Sequence, residues 1–263
     1  MKTTTASSLS AMKANGEKFA VITAYDFTFS KLIENAAIEV ILVGDSLGNV
    51  IQGRDSTIPV TVDEMAYHTE AVKRGNNRAL LVSDMPFMSY ASEAQALENA
   101  AVLMQAGAQM VKLEGGEWLA DTVHLLTERG IPVCGHVGLT PQSVNKLGGY
   151  KVQGKEEEAA AQMIADAKAL ESAGAELIVV ECVPSSLGRE LSEVLDIPVI
   201  GIGAGPDTDA QVLVLHDMLG ISQRLPRFSK NFLAENSTIE EAIKAYGDAV
   251  RCGSFPAPEH CFK

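Results

Sequence analysis

SEAQALENAAVLMQAGAQMVKLE, residues 92–114, contains one full unit of the architecture. Its first part, Ser92–Gly107, sets Ala96, Leu97, Ala100, Ala101 and Met104 at helical spacing and closes on a glycine. Ser92 offers an N-cap, with Gln95 three residues on as in a capping box. Gly107-Ala108 then reads as a C-terminal turn into the next element. That element, MVKLE (110–114), is too short for a globular helix and reads as a buried strand.

The same alternation runs outward in both directions. Strand-like runs are FAVITA (19–24), VILVG (40–44), ALLVSD (79–84), PVCGH (132–136), LIVVE (177–181), PVIGIG (198–203) and VLVLH (212–216). Amphipathic segments lie between them, including Glu117–Gly130 and Glu156–Gly174, and Asp63 is a further N-cap candidate. Repeated strand–helix units imply a parallel sheet. Eight strands in a chain of 263 residues fit a single-domain (β/α)8 TIM barrel spanning residues 1–263. An open doubly wound sheet is the other option, but no G-x-G-x-x-G follows the first strand. The seventh unit is short, with only Ala204–Gln211 before the eighth run. Ala6–Asn15 reads as a short helix capping the bottom of the barrel, and Ile239–Arg251 as a C-terminal helix before an irregular tail. Two long connections, Ser46–Pro59 and Val137–Lys155, follow strands two and five, where binding loops usually lie.

Composition narrows the function. Asp plus Glu outnumber Lys plus Arg by 34 to 21, a formal net charge of −13. A binder of nucleic-acid phosphates needs the opposite balance. With 46% hydrophobic residues the chain is neither disordered nor collagen-like, and four cysteines do not make a disulfide miniprotein. Met1–Ser10 lacks the apolar core of a signal peptide, and no run of about 18 apolar residues marks a membrane span. Cys134 and Cys182 sit in apolar runs, no C-x-x-C pair occurs, and zinc-ligand spacing is absent. A reducing, cytoplasmic setting is expected.

The carboxyl ends of the strands are where a barrel places its chemistry. Here they carry Asp45 and Ser46, Asp84, Lys112 and Glu114, His136, and Glu181. Lys112 and Glu114, two apart on one strand, share a face. Taken singly, each has an ordinary reading. Asp45 or Asp84 could be a turn cap, Lys112 and Glu114 a structural ion pair, His136 an interior imidazole, and Glu181 a turn residue. Taken together, four acids around one mouth repel unless cations sit among them. Lys112 supplies one charge and a hard divalent cation would supply the rest. Mg²⁺ fits because it takes carboxylate oxygens and keeps water or substrate oxygens as other ligands. The implied chemistry is enolisation of a small oxo acid, with a carboxylate as base. Gly201-Ile202-Gly203-Ala204-Gly205 could cradle a phosphate, but no basic residue lies nearby in sequence, which favours a tight turn.

The segments GDSLGNVIQGRDST (44–57), SDMPFMSY (83–90), VKLEGG (111–116), CGHVGLTPQSVNKLGGYKVQG (134–154), ECVP (181–184) and IGIGAGPDTDAQVLVLHDMLG (200–220) resemble ketopantoate hydroxymethyltransferase. The resemblance runs from about Thr3 to the C-terminus. It implies a barrel of the phosphoenolpyruvate mutase/isocitrate lyase group, decameric in bacteria. The implied activity is transfer of a hydroxymethyl group from 5,10-methylenetetrahydrofolate to 3-methyl-2-oxobutanoate, giving 2-dehydropantoate for pantothenate synthesis. By the same resemblance, Asp45 and Asp84 ligate Mg²⁺ and contact the substrate. Glu114 holds a water on the metal or ligates it directly. Ser46 and Lys112 bind the oxo-acid carboxylate with help from His136, and Glu181 accepts the proton. Pro226-Arg227-Phe228-Ser229-Lys230 departs from the family, which commonly has Lys after the Pro. Two rival readings remain. One is a metal-dependent C–C or C–P lyase or mutase, which would often need a loop cysteine that the two long loops lack. The other is an idle barrel serving as scaffold or sensor, which the full set of acids disfavours.

Overall fold

A computed structural model describes residues 3–263. Eight parallel strands close into a barrel in sequence order. They are β1 (Phe19–Thr23), β2 (Val40–Val43), β3 (Leu80–Asp84), β4 (Met110–Glu114), β5 (Val133–Gly138), β6 (Leu177–Glu181), β7 (Val199–Ile202) and β8 (Ala210–Leu213), with β8 pairing back onto β1. Around them run α1 (Ala6–Ala14), α2 (Phe27–Asn35), α3 (Leu47–Val50), α4 (Val62–Gly75), α5 (Glu93–Gln105), α6 (Ala120–Glu128), α7 (Val144–Leu147), α8 (Glu157–Ser172), α9 (Ser185–Val194), α10 (Leu215–Met218) and α11 (Ile239–Arg251). The architecture is the (β/α)8 barrel that the repeating units imply.

Strand alternation sorts the core into two layers. Ala20, Ile22, Ile41, Val43, Leu81, Val111 and Leu113 face the helices. Phe19, Val21, Val40, Leu42, Leu80, Val82, Met110, Cys134, Leu177 and Val179 fill the interior. Leu9 of α1 is fully buried in that interior cluster, flanked by Ala6 and Met12. The helix therefore seals the amino end of the barrel. Following the same inward face toward the carboxyl end, Val82 gives way to Asp84, Met110 to Lys112 and Glu114, Cys134 to His136, and Val179 to Glu181. The interior is thus apolar below and ionic at its rim.

Three local expectations are corrected. The eighth strand starts two residues earlier than the VLVLH run, and Leu215 and His216 belong to α10. Buried Gln211 is admitted to β8 because its Nε2 donates to Gly205 O and Thr208 Oγ1, at 3.0 and 2.8 Å. Thr61, not Asp63, caps α4, in a reciprocal box with Glu64. At Ser92 the cap is present, but Gln95 reaches Ala91 N–H rather than closing a box. Gly201 and Ile202 end β7, and Gly203–Gly205 make the packed bend that follows: a Cβ at Gly205 would lie 2.6 Å from Ser185 Cβ. Arg227, in the departing segment, lies 5.6 Å over the Phe262 ring of the tail.

Candidate active site

The carboxyl rim gathers Asp45, Asp84, Lys112, Glu114 and His136, each at most 4% exposed. Register explains the grouping: Asp84 pairs with Lys112 across β3 and β4, and Glu114 with His136 across β4 and β5. Lys112 Nζ lies 3.0 Å from Asp84 Oδ1, 3.8 Å from Glu114 Oε1 and 3.0 Å from His136 Nδ1. His136 Nδ1 is also 3.3 Å from Glu114 Oε1, and its Nε2 is 3.3 Å from Glu181 Oε2. Asp45, just past β2, donates its N–H to Asp84 Oδ2 at 2.9 Å. Ser46 Oγ shares a 2.9 Å hydrogen bond with Tyr25 Oη. All seven residues singled out in the sequence therefore lie at one mouth, although Ser46 meets Tyr25 rather than the ionic cluster.

The electrostatics are unbalanced. Burial first, and then the Asp84 and Glu114 charges, push the Asp45 carboxyl well above the usual carboxylate range. Burial also raises Asp84, against the opposing pull of Lys112 and the Asp45 N–H. At Lys112 burial works to lower the pKa, but Asp84, Glu114 and Asp45 outweigh it and raise it. At Glu114 burial is outweighed by His136, then by Lys112 and the Gln142 N–H, and the carboxyl is lowered. Burial and Lys112 act to lower His136, and its bonds to Glu114 and Glu181 reverse this. Burial pushes the Cys134 thiol, one layer below, up to about 12, consistent with a packing role.

These observations bear on a cation. Asp84 Oδ1 has its ion contact with Lys112 but no aligned hydrogen bond, and His136 Nε2 is likewise unsatisfied. Buried polar atoms of this kind are normally paired. Among the described residues, no three His, Cys, Asp or Glu side chains converge as a ligand set. The carboxylates at hand for such an ion are Asp45 and Asp84, linked through the Asp45 N–H, with Glu114 beside Lys112 and His136. Mg²⁺ is the ion that accepts one or two carboxylates and takes its other ligands from water or substrate. The residues present fit it.

Three contributors escaped the sequence reading. Tyr25 holds Ser46. Gln142, in the loop after β5, donates from Nε2 to Asp45 Oδ2 at 2.9 Å and from its N–H to Glu114 Oε2 at 3.0 Å. Tyr90 donates to Gln142 Oε1 at 2.5 Å. For Gln142 the only available signal was its place in a long loop at the carboxyl end of a strand.

The fold is shared with 2,3-dimethylmalate lyase, a member of the PEP mutase/isocitrate lyase superfamily, at TM-score 0.57, 15% identity and 81% coverage of each chain. Phosphonopyruvate hydrolase, solved in complex with oxalate and Mg²⁺, matches at TM-score 0.62 and 14% identity over 80% of each chain. At these identities the likeness is one of fold, the (β/α)8 barrel. Within it, the profile described as ketopantoate hydroxymethyltransferase matches residues 3–258, and the chain belongs to that family. The 3-methyl-2-oxobutanoate hydroxymethyltransferase of Colwellia psychrerythraea is 59% identical over 263 residues, covering 100% of this chain and 99% of its own. The chain is an enzyme, a hydroxymethyltransferase. No helix among the described residues is long and apolar enough to cross a membrane.

Proposed function

We propose that the enzyme transfers a hydroxymethyl group from 5,10-methylenetetrahydrofolate to 3-methyl-2-oxobutanoate, giving 2-dehydropantoate for pantothenate synthesis. The observation that carries the reading is the approach of Glu181 to His136 on one side of a rim whose other side is the Asp45–Asp84 pair. A base and an anion-stabilising site thus face one space, as enolisation requires. The relative's name supplies the substrate, and the acid-rich rim supports it.

Asp45 and Asp84 would hold Mg²⁺, with Glu114 behind them, its oxygens already engaged by Gln142, His136 and Lys112. A Mg²⁺ ion held there would supply the positive charge that makes loss of the substrate's C3 proton easier. Lys112 and Ser46 bind the oxo-acid carboxylate, and His136 steadies Lys112 through Nδ1. The other ring nitrogen, Nε2, lies 3.3 Å from Glu181 Oε2, so the same imidazole stands between Lys112 and the base. Glu181 removes the C3 proton of the substrate. The resulting carbon nucleophile attacks the methylene carbon of the folate, in its opened iminium form, and forms the new C–C bond. The methylene carbon brings no oxygen, so water supplies the hydroxyl as the C–N bond to the folate breaks. Held reactants gain from proximity as well as charge.

Four free cysteines fit a cytoplasmic location, and the family resemblance favours a homodecamer. The test is direct. The purified enzyme with both substrates and Mg²⁺ should yield 2-dehydropantoate, and chelation should stop it. Turnover of 3-methyl-2-oxobutanoate by carbon–carbon cleavage, without the folate, would instead establish the lyase reading.

A further inference from the structure

Gln142 has every strong hydrogen-bonding group of its side chain committed to the acid cluster or its walls. The residue is 5% exposed. Its Nε2 donates one proton to Asp45 Oδ2 and one to Met85 O, both at 2.9 Å. Its Oε1 accepts from Tyr90 Oη. The Met85 carbonyl can only accept, as can an ionised Asp45, so chemistry fixes which way the amide points. Its backbone N–H holds Glu114 Oε2 at 3.0 Å. The Glu114 N–H closes the circuit by donating to Tyr90 Oη at 3.3 Å.

We propose that Gln142 is a positioning residue for the cation. By engaging one oxygen of Asp45 it stops the carboxylate from rotating and leaves the other oxygen for Mg²⁺. By engaging Glu114 from the main chain it keeps that carboxylate with Lys112 and His136. The inference rests on the reading that Asp45 and Asp84 hold Mg²⁺. A neutral amide suits the task. A lysine here would cancel the charge of Asp45 and compete with the metal. A glutamate would add repulsion to a cluster that already raises Asp45. Partners that orient metal ligands typically govern about 10- to 100-fold in metal affinity.

The test uses Mn²⁺ as probe, with free Mn²⁺ measured by electron paramagnetic resonance, on the intact enzyme and three variants. Gln142→Met keeps the length and removes the bonds, Gln142→Glu removes the donor, and Tyr90→Phe releases Oε1. We expect Mn²⁺ binding to weaken about 10- to 100-fold in Gln142→Met and at least as much in Gln142→Glu. Tyr90→Phe should move the same way by less. Raising Mg²⁺ should restore kcat in Gln142→Met while KM for the oxo acid at saturating metal stays near the parent value. A folded Gln142→Met enzyme that binds Mn²⁺ within about twofold of the parent would overturn the proposal, since a packing role predicts lost stability alone. If that variant does not fold, unchanged affinity in both Tyr90→Phe and Gln142→Glu overturns it equally. Mn²⁺ binding by the parent that is indifferent to Asp45→Asn would sink the metal reading itself, and this proposal with it.

Discussion

The main-chain N–H of Asp45 donates to Asp84 Oδ2 at 2.9 Å, so one acid of the rim is the hydrogen-bond anchor of the other's backbone. That bond fixes the Asp84 carboxylate against the Asp45 main chain, and Gln142 Nε2 holds Asp45 Oδ2 at 2.9 Å, so neither carboxylate leaves the other without breaking a buried bond. The protein thus holds like charges together, and the strain falls on Asp45, whose carboxyl is raised by burial and by Asp84 and Glu114.

Asp45→Asn should stabilise the metal-free enzyme. A carboxyl whose folded pKa lies above its unfolded value is penalised when ionised in the fold. Its cost is therefore present above the folded pKa and fades as pH falls toward the unfolded value of about 3.9. Thermal unfolding in chelator at pH 8 should show a higher Tm for Asp45→Asn than for the parent, with the gap narrowing in acid. Saturating Mg²⁺, at about 100 times its Kd, should add about 2.7 kcal/mol to the parent and little to the variant. A lower Tm for the variant at pH 8 in chelator would contradict the strained-acid account.

Glu181→Gln should fold normally and lose proton abstraction. In D₂O with Mg²⁺, exchange at C3 of 3-methyl-2-oxobutanoate, followed by NMR, should slow by about 10²- to 10⁴-fold. Unchanged exchange would remove Glu181 from the role of base.

Lys112→Met removes the cation that lies between Asp84 and Glu114. Breaking a buried charge cluster from one side costs about 3–5 kcal/mol. We expect a lower Tm together with a raised KM for the oxo acid. A stable variant with unchanged KM would show that Lys112 neither balances the rim nor binds substrate.

Gly138→Ala probes the backbone beneath the base. Gly138 has φ +93°, and an added Cβ would collide with the Glu181 carbonyl oxygen. The unfavourable φ alone costs about 1–3 kcal/mol, and the displaced carbonyl should carry Glu181 with it. Both a lower Tm and a reduced kcat are expected. A variant with the parent's kcat would mean that Glu181 is placed independently of this contact.

The barrel and most of the rim were legible because both depend on short periods in sequence. The inward face of β4 reads Met110, Lys112, Glu114 two by two, and the change from apolar to ionic along it marks the mouth. The eighth strand misled because Gln211 looks polar in sequence and is satisfied only by groups the turn brings to it. Gln142 was invisible for a different reason. Its partner Asp45 is 97 residues away, and a glutamine becomes informative only when its acceptors are known. Thr61 was overlooked although Thr-x-x-Glu is a local pattern, because Asp63 drew the reading to the wrong residue.

The loop after β5 is tied down at both ends to neighbouring carbonyls, with Leu139 N–H on Glu181 O and Gln153 N–H on Cys182 O, each at 2.8 Å. Between these stitches lie α7 and the exposed Tyr150. Both stitches are main-chain bonds that require no particular side chain, so residues 144–152 can change in shape and chemistry while the loop stays moored to the end of β6.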